Sequence, residues 1–185
     1  MAILTVGPGN EFTTIQQAVV AAKTGDTVEV QAGTYTNDFV GIYKSITLQA
    51  VNGEVKLVAT ISPPNGKAII DAGGSGLNIT INGFDISGTK VADGNGAAIR
   101  YEGGRLTLNN DYFHNNQEGM LAASDPNGVI TINHSEFAFN GDGSRPYPQS
   151  LRQQPRPADN HQLLFSRRRR RPRNQEPGAE HHHHQ

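Results

Sequence analysis

The chain has no cysteine, so neither a disulfide framework nor a thiolate metal site is open to it. No apolar run nears the roughly 20 residues that cross a bilayer, which excludes a helical membrane span. The opening, MAILTVGPGNEF, has neither the basic n-region nor the apolar h-region of a secretory signal. Localisation is therefore expected to be cytoplasmic, or exported through a C-terminal signal missing from this sequence. Hydrophobic residues are few, at 35% of 185, whereas glycine is plentiful at 21. A chain of this length suits one domain.

Each part of the chain is also short of one sign of charge. Residues 1–144 hold 7 Lys/Arg against 14 Asp/Glu, and residues 145–185 hold 9 against 3. The net charge of −1 conceals this division. Apolar patterning changes at the same boundary. Short regular alternations precede Ser144, and Pro, Gln and Arg without periodicity follow it. A segment of the latter composition buries too little apolar surface to order itself.

The acidic body begins with a helix. Thr13 or Thr14 can cap it, and Ile15, Ala18, Val19 and Ala22 share one face. Gly25 and Asp26 then turn the chain. DTVEV, AGTY, SITLQA, EVKLVA and AII follow as short strands between Gly, Pro and Asn punctuation. Beyond them a repeat emerges: Ile79-Thr80-Ile81-Asn82, Leu106-Thr107-Leu108-Asn109 and Ile130-Thr131-Ile132-Asn133. The starts lie 27 and 24 positions apart, and an aromatic follows each, at Phe84, Phe113 and Phe137. Periods of roughly 20–50 residues signal a solenoid. One coil cannot bury its inner face alone. Stacked coils pair their backbones about 4.8 Å apart and share a core of Ile, Leu, Val and Phe. Asn after each strand suits a left-handed corner, and stacked Asn side chains can form a ladder. The helix would cover the open edge of the first coil.

The stretch TVGPGNEFTTIQQAVVAAKTGDTVEVQAGTY is similar to the N-terminal cap and first coil of right-handed parallel β-helix proteins, the pectate-lyase-like superfamily. LNITINGFDIS, LTLNNDYFHNN and ITINHSEFAFN resemble its later coils. The likeness spans Leu4 to about Gly143. It implies an all-β fold, a right-handed parallel β-helix of about five coils with a short N-terminal capping α-helix over residues 1–144. A disordered basic tail would occupy residues 145–185. The resemblance implies a carbohydrate-directed ancestor, a polysaccharide lyase or a uronate C-5 epimerase, with acidic polysaccharide as partner. It allows calcium as cofactor, although no cofactor is evident from the residues. A noncatalytic surface or adhesion solenoid that binds glycans shares the same scaffold.

The tail carries five arginines at Arg167–Arg171 and four histidines at His181–His184. A run of CGN Arg codons read one nucleotide later gives only Gly, Ala, Val or Asp, and a run of His codons gives Thr or Ile. The same shift from Ala158 onward yields LTITNSYFH, which matches LTLNNDYFH at Leu106–His114. It starts 28 positions beyond Ile130, close to the earlier period. The tail is therefore expected to be an out-of-frame reading of further coils. On that expectation the chain is inactive, and its uncapped last coil pairs with other chains. The alternative is a natural basic arm for nucleic acid. The acidic body and the absence of interleaved aromatics other than Phe165 argue against it.

Uronate lyases and epimerases must neutralise the substrate carboxylate and remove the C-5 proton with a base. On a β-helix such groups project outward from neighbouring coils. The outward candidates are Arg100, Glu102, Asp111, Tyr112, His114, Glu118, His134 and Glu136. Of these, His114, Glu118 and Arg100 are the catalytic candidates. The plainer reading makes His114 a solvated turn residue and Arg100 with Glu102 an exposed ion pair of little energetic weight. Asp71, Asp85, Asp93 and Asp125 sit beside Gly, Asn or Pro and read as turn formers. AGGSG and GPG lack the strand–loop–helix setting of a phosphate loop. NIT and NHS match the glycosylation sequon only as by-products of an Asn-rich repeat.

Overall fold

The computed structural model describes residues 1–141 and the backbone of 161–164. It is an all-β, right-handed parallel solenoid of about six turns, one more than the repeats suggest. The extra turn comes from the N-terminus. Strand β1 (Ile3–Val6) lies parallel to β2 (Thr27–Thr36), with Leu4 opposite Val28 and Val6 opposite Val30.

Between them sits helix α1 (Ile15–Ala21), whose cap is Thr14: its Oγ1 accepts the Gln17 N–H at 3.2 Å. Ile15, Ala18, Val19 and Ala22 are all buried. The helix is bracketed by charges from the next coil. Asp38 accepts the N–H groups of Ile15 and Gln16 at 2.5 and 3.2 Å. At the other end Lys44 Nζ donates to the carbonyls of Val20 and Ala22 at 3.0 and 2.7 Å. A carboxylate at the N-terminus and an ammonium at the C-terminus satisfy orphan backbone groups and oppose the helix dipole.

DTVEV and AGTY form the single bent strand β2, and SITLQA and EVKLVA likewise merge into β4 (Thr47–Val58). Their registers break beside Gly33 and near Asn52-Gly53, where each strand turns from one face of the tower to the next. β3 (Val40–Ile42) lies between them, and β5 (Ala68–Ala72) follows. Later coils split the bent strand into two: β6 (Asn78–Asn82) with β7 (Phe84–Ser87), β9 (Arg105–Asn109) with β10 (Tyr112–His114), and β12 (Val129–Asn133) with β13 (Glu136–Ala138). The third face holds β3, β5, β8 (Ala97–Tyr101) and β11 (Glu118–Ala122).

Register converts the repeat into columns. Leu4, Val28, Leu48, Ile81, Leu108 and Ile132 stack inward on the first face. Thr27, Thr47, Thr80, Thr107 and Thr131 stack outward beside them. The Asn ladder forms: Asn82 Nδ2 donates to Gln49 Oε1 at 2.8 Å, and Asn133 Nδ2 to Asn109 Oδ1 at 2.7 Å. These Asn residues end strands and do not turn the corner. The left-handed backbone falls one residue later, at Gly83, Asn110 and His134, with φ of 86°, 55° and 49°.

His134 is the costly member of that column, because a side chain other than Gly or Asn gains nothing locally in the left-handed region. His134→Asn should stabilise the fold by about 1 kcal/mol. A rise in thermal midpoint with unchanged denaturant slope is the expected reading.

The aromatics do not form one column. Phe113 stacks on Phe137 with ring centroids 4.6 Å apart, above Ile86. Phe84 stands over Val55 in the neighbouring inward column, whose next occupants are Asp111 and Ser135. The spacing explains this: Phe84 follows its ladder Asn by two residues, Phe113 and Phe137 by four.

His161–Leu164 form β14, antiparallel to β12 with Val129 opposite Leu164. This short strand departs from a wholly unstructured tail. The other residues of the expected 145–185 tail lie outside the described residues. No helix among the described residues is long and apolar enough to cross a membrane.

Candidate functional site

The second face carries His114. Its outward columns are Thr34, Lys56, Asp85, Tyr112 and Glu136, and beside them Thr36, Val58, Ser87, His114 and Ala138. Asp85 is thus a strand residue of β7, not a turn former. From one coil below it accepts diagonally from His114, Nε2 to Oδ1 at 2.8 Å. The Asn115 side-chain amide donates to His114 Nδ1 at 2.8 Å, which places the ring proton on Nε2. The Tyr112 ring stacks on the imidazole at 4.3 Å. Both ring nitrogens are therefore engaged, and the one lone pair capable of taking a proton is occupied by the amide of Asn115.

Arg100 lies on the third face, on β8, away from His114. Its Nε is paired with Glu102 Oε1. Glu118 begins β11 opposite Ala97, in the same alternation as Ile99 and Tyr101, whose side chains point into the core. The three catalytic candidates are thus spread over two faces and two orientations, and no shared centre unites them. Glu136 continues the Tyr112 column, and His134 sits in the corner.

Asp111 is not outward. It is 2% exposed, in the inward column of Val55 and Phe84. Its Oδ1 accepts the Phe84 N–H at 2.9 Å, so it ties its own corner to the coil below. Ser135 repeats the device above, its Oγ accepting the Asp111 N–H at 3.1 Å. Burial outweighs these backbone donors and pushes the Asp111 carboxyl up to about 8. Asn116 and Asn140 are clasps of the same kind at the next corner. Asn116 Oδ1 accepts from Thr89 N and its Nδ2 donates to Ile86 O; Asn140 does the same to Asn116 N and Phe113 O, one coil higher. Asp26 and Asp125 also accept backbone N–H groups, which hold both carboxyls below the usual range. Side-chain clasps were hidden in the sequence because Asx residues in Gly-rich stretches look like turn formers. Asp125 fits both descriptions.

A second polar cluster lies on the third face, where β3, β5 and β8 place Gly41, Asp71 and Arg100 in one outward column. Asp71, too, is a strand residue. Tyr43, just past β3, folds its ring back over Gly41, whose added Cβ would meet the ring at 3.0 Å. Burial, then a hydrogen bond to Asp71, pushes the Tyr43 phenol up to about 12.

These outer faces and the parallel tower define the class of protein, a β-solenoid. Set against models of known families, curated proteins and solved structures, the chain finds no match in any of the three.

Proposed function

We propose that this chain is a carbohydrate-directed β-solenoid that binds glycan without turning it over, descended from a polysaccharide lyase or uronate C-5 epimerase. The engagement of both His114 ring nitrogens carries the noncatalytic half of this reading. A C-5 base needs a free lone pair within reach of the proton, and here Asp85 and Asn115 flank the ring. Arg100, already paired with Glu102, is a poor clamp for a substrate carboxylate. The carbohydrate half rests on the resemblance of the repeats and on outward columns rich in Thr, Asn, Asp and Tyr, groups suited to sugar hydroxyls and ring faces.

Alginate and pectate incubated with the full chain should yield no unsaturated product and no solvent deuterium at C-5. A panel of uronate, neutral and amino glycans should include at least one saturable binder. Unsaturated ends or C-5 exchange would restore the enzyme reading, and a panel without binders would remove the carbohydrate reading.

The tail fits the same proposal as an out-of-frame reading of further coils. What supports this is the recovered LTITNSYFH, whose match to LTLNNDYFH falls close to the coil period. Sequencing the coding region around codon 144 tests this. A frame without the shift, shared by related coding sequences, would dispose of it.

A further inference from the structure

We propose that Asp71, Tyr43 and Glu102 form a subsite for a primary ammonium group carried on an amino sugar. This deepens the carbohydrate reading and depends on it for the sugar, though not for the ammonium.

The case begins with a buried oxygen. Asp71 is 7% exposed, and its Oδ1 has no hydrogen-bond partner among the described residues. A buried carboxylate oxygen left without a donor destabilises the fold, so an incoming donor recovers that loss. Its rung neighbours explain the vacancy of donors. Below is Gly41, which has no side chain. Above is Arg100, whose Nε is drawn to Glu102. The net charge of Asp71, Glu102 and Arg100 is negative, so a cation fits and a uronate does not.

Tyr43 supplies the second part. It is 58% exposed, and its ring covers the column at Gly41 beside Asp71. An exposed ring face next to a carboxylate stacks a pyranose and attracts an ammonium through its quadrupole. Glycine at position 41 lets that ring lie flat against the backbone, where a Cβ would meet it at 3.0 Å. A lysine side chain offers the same ammonium. The amino sugar is favoured because Tyr43 presents a flat face and the Arg100–Glu102 pair offers both donors and acceptors for hydroxyls.

The test is calorimetric titration of the full chain with a glucosamine trimer, its N-acetylated counterpart and a trilysine peptide. The glucosamine trimer should bind saturably, and acetylation should weaken binding at least tenfold. Asp71→Asn should lose at least tenfold. Tyr43→Ala should lose severalfold, and Tyr43→Phe should stay within about threefold of the parent. Asp93→Asn, on a distant turn, is the control and should not change. Tyr43→Ala keeps the test decisive if Asp71→Asn does not fold. Equal binding of the acetylated trimer, an unaffected Asp71→Asn, or no binding of either cation overturns the subsite. Binding of trilysine alone keeps the ammonium site and overturns the sugar, and with it the carbohydrate reading of this face.

Discussion

Between pH 5 and pH 9 the protein should lose about 4 kcal/mol of stability, most of it through Asp111. The folded carboxyl titrates at about 8, raised by burial, against about 3.9 in an unfolded chain. A raised carboxyl means that the fold binds the proton more tightly than the unfolded chain does. The associated stability is complete below the unfolded value and is lost as pH rises, until Asp111 is fully ionised above 8. Each unit of displacement is about 1.4 kcal/mol. Asp38, also raised by burial, acts in the same direction. Asp26, Asp93 and Asp125 are lowered and act in the opposite sense, losing their stabilisation as pH falls through their folded values. Urea melts across this range should show the decline, and Asp111→Asn should flatten most of it while keeping the acceptor for Phe84. A parent whose stability is level from pH 5 to 9 would mean that Asp111 is ionised and solvated, and that its column is open.

Asn116→Ala should cost about 3 kcal/mol, more than a surface polar residue warrants. The side chain is buried and joins two coils. It accepts from Thr89 N at 3.0 Å and donates to the carbonyls of Ile86 and His114 at 3.1 and 2.9 Å. Truncation leaves buried backbone groups without partners, and alanine offers no replacement. Asn140→Ala should cost less, because its residue lies nearer the end of the tower and is only part-buried. Chemical denaturation of the two variants gives the comparison. Equal, small losses would show that the clasps merely decorate the corners.

The tower was legible in the sequence because Ile-Thr-Ile-Asn and its relatives carry strand alternation and coil period together. The helix face at Ile15, Ala18, Val19 and Ala22 was equally plain. Bent strands were not, since Gln31 and the Val51–Gly53 stretch read as breaks between strands, whereas the backbone continues through them. Column membership was the harder matter. Phe84, Phe113 and Phe137 look alike after their Asn, yet a difference of two residues moves Phe84 into the column of Val55 and Asp111. The same counting, applied to FDIS and YFH, would have placed Asp85 outward below Tyr112 and Asp111 inward above Phe84. The pairing of His114 with Asp85 is diagonal between coils, and only the register reveals it. Nothing local in the sequence shows that Asn115 covers the other imidazole nitrogen.

Register is the claim on which all of this depends, and its most direct test uses the absence of native cysteine. Thr107 and Thr131 face outward as rung partners, so their Cα atoms lie near the 4.8 Å strand spacing and within disulfide range. Thr47 and Thr107 flank Thr80 two rungs apart, at about 9.6 Å and out of range. Under mild oxidation, Thr107→Cys with Thr131→Cys should form an intramolecular disulfide rapidly and in high yield, and Thr47→Cys with Thr107→Cys should not. Equal crosslinking of both pairs, or crosslinking of the second alone, would contradict the stacked parallel tower.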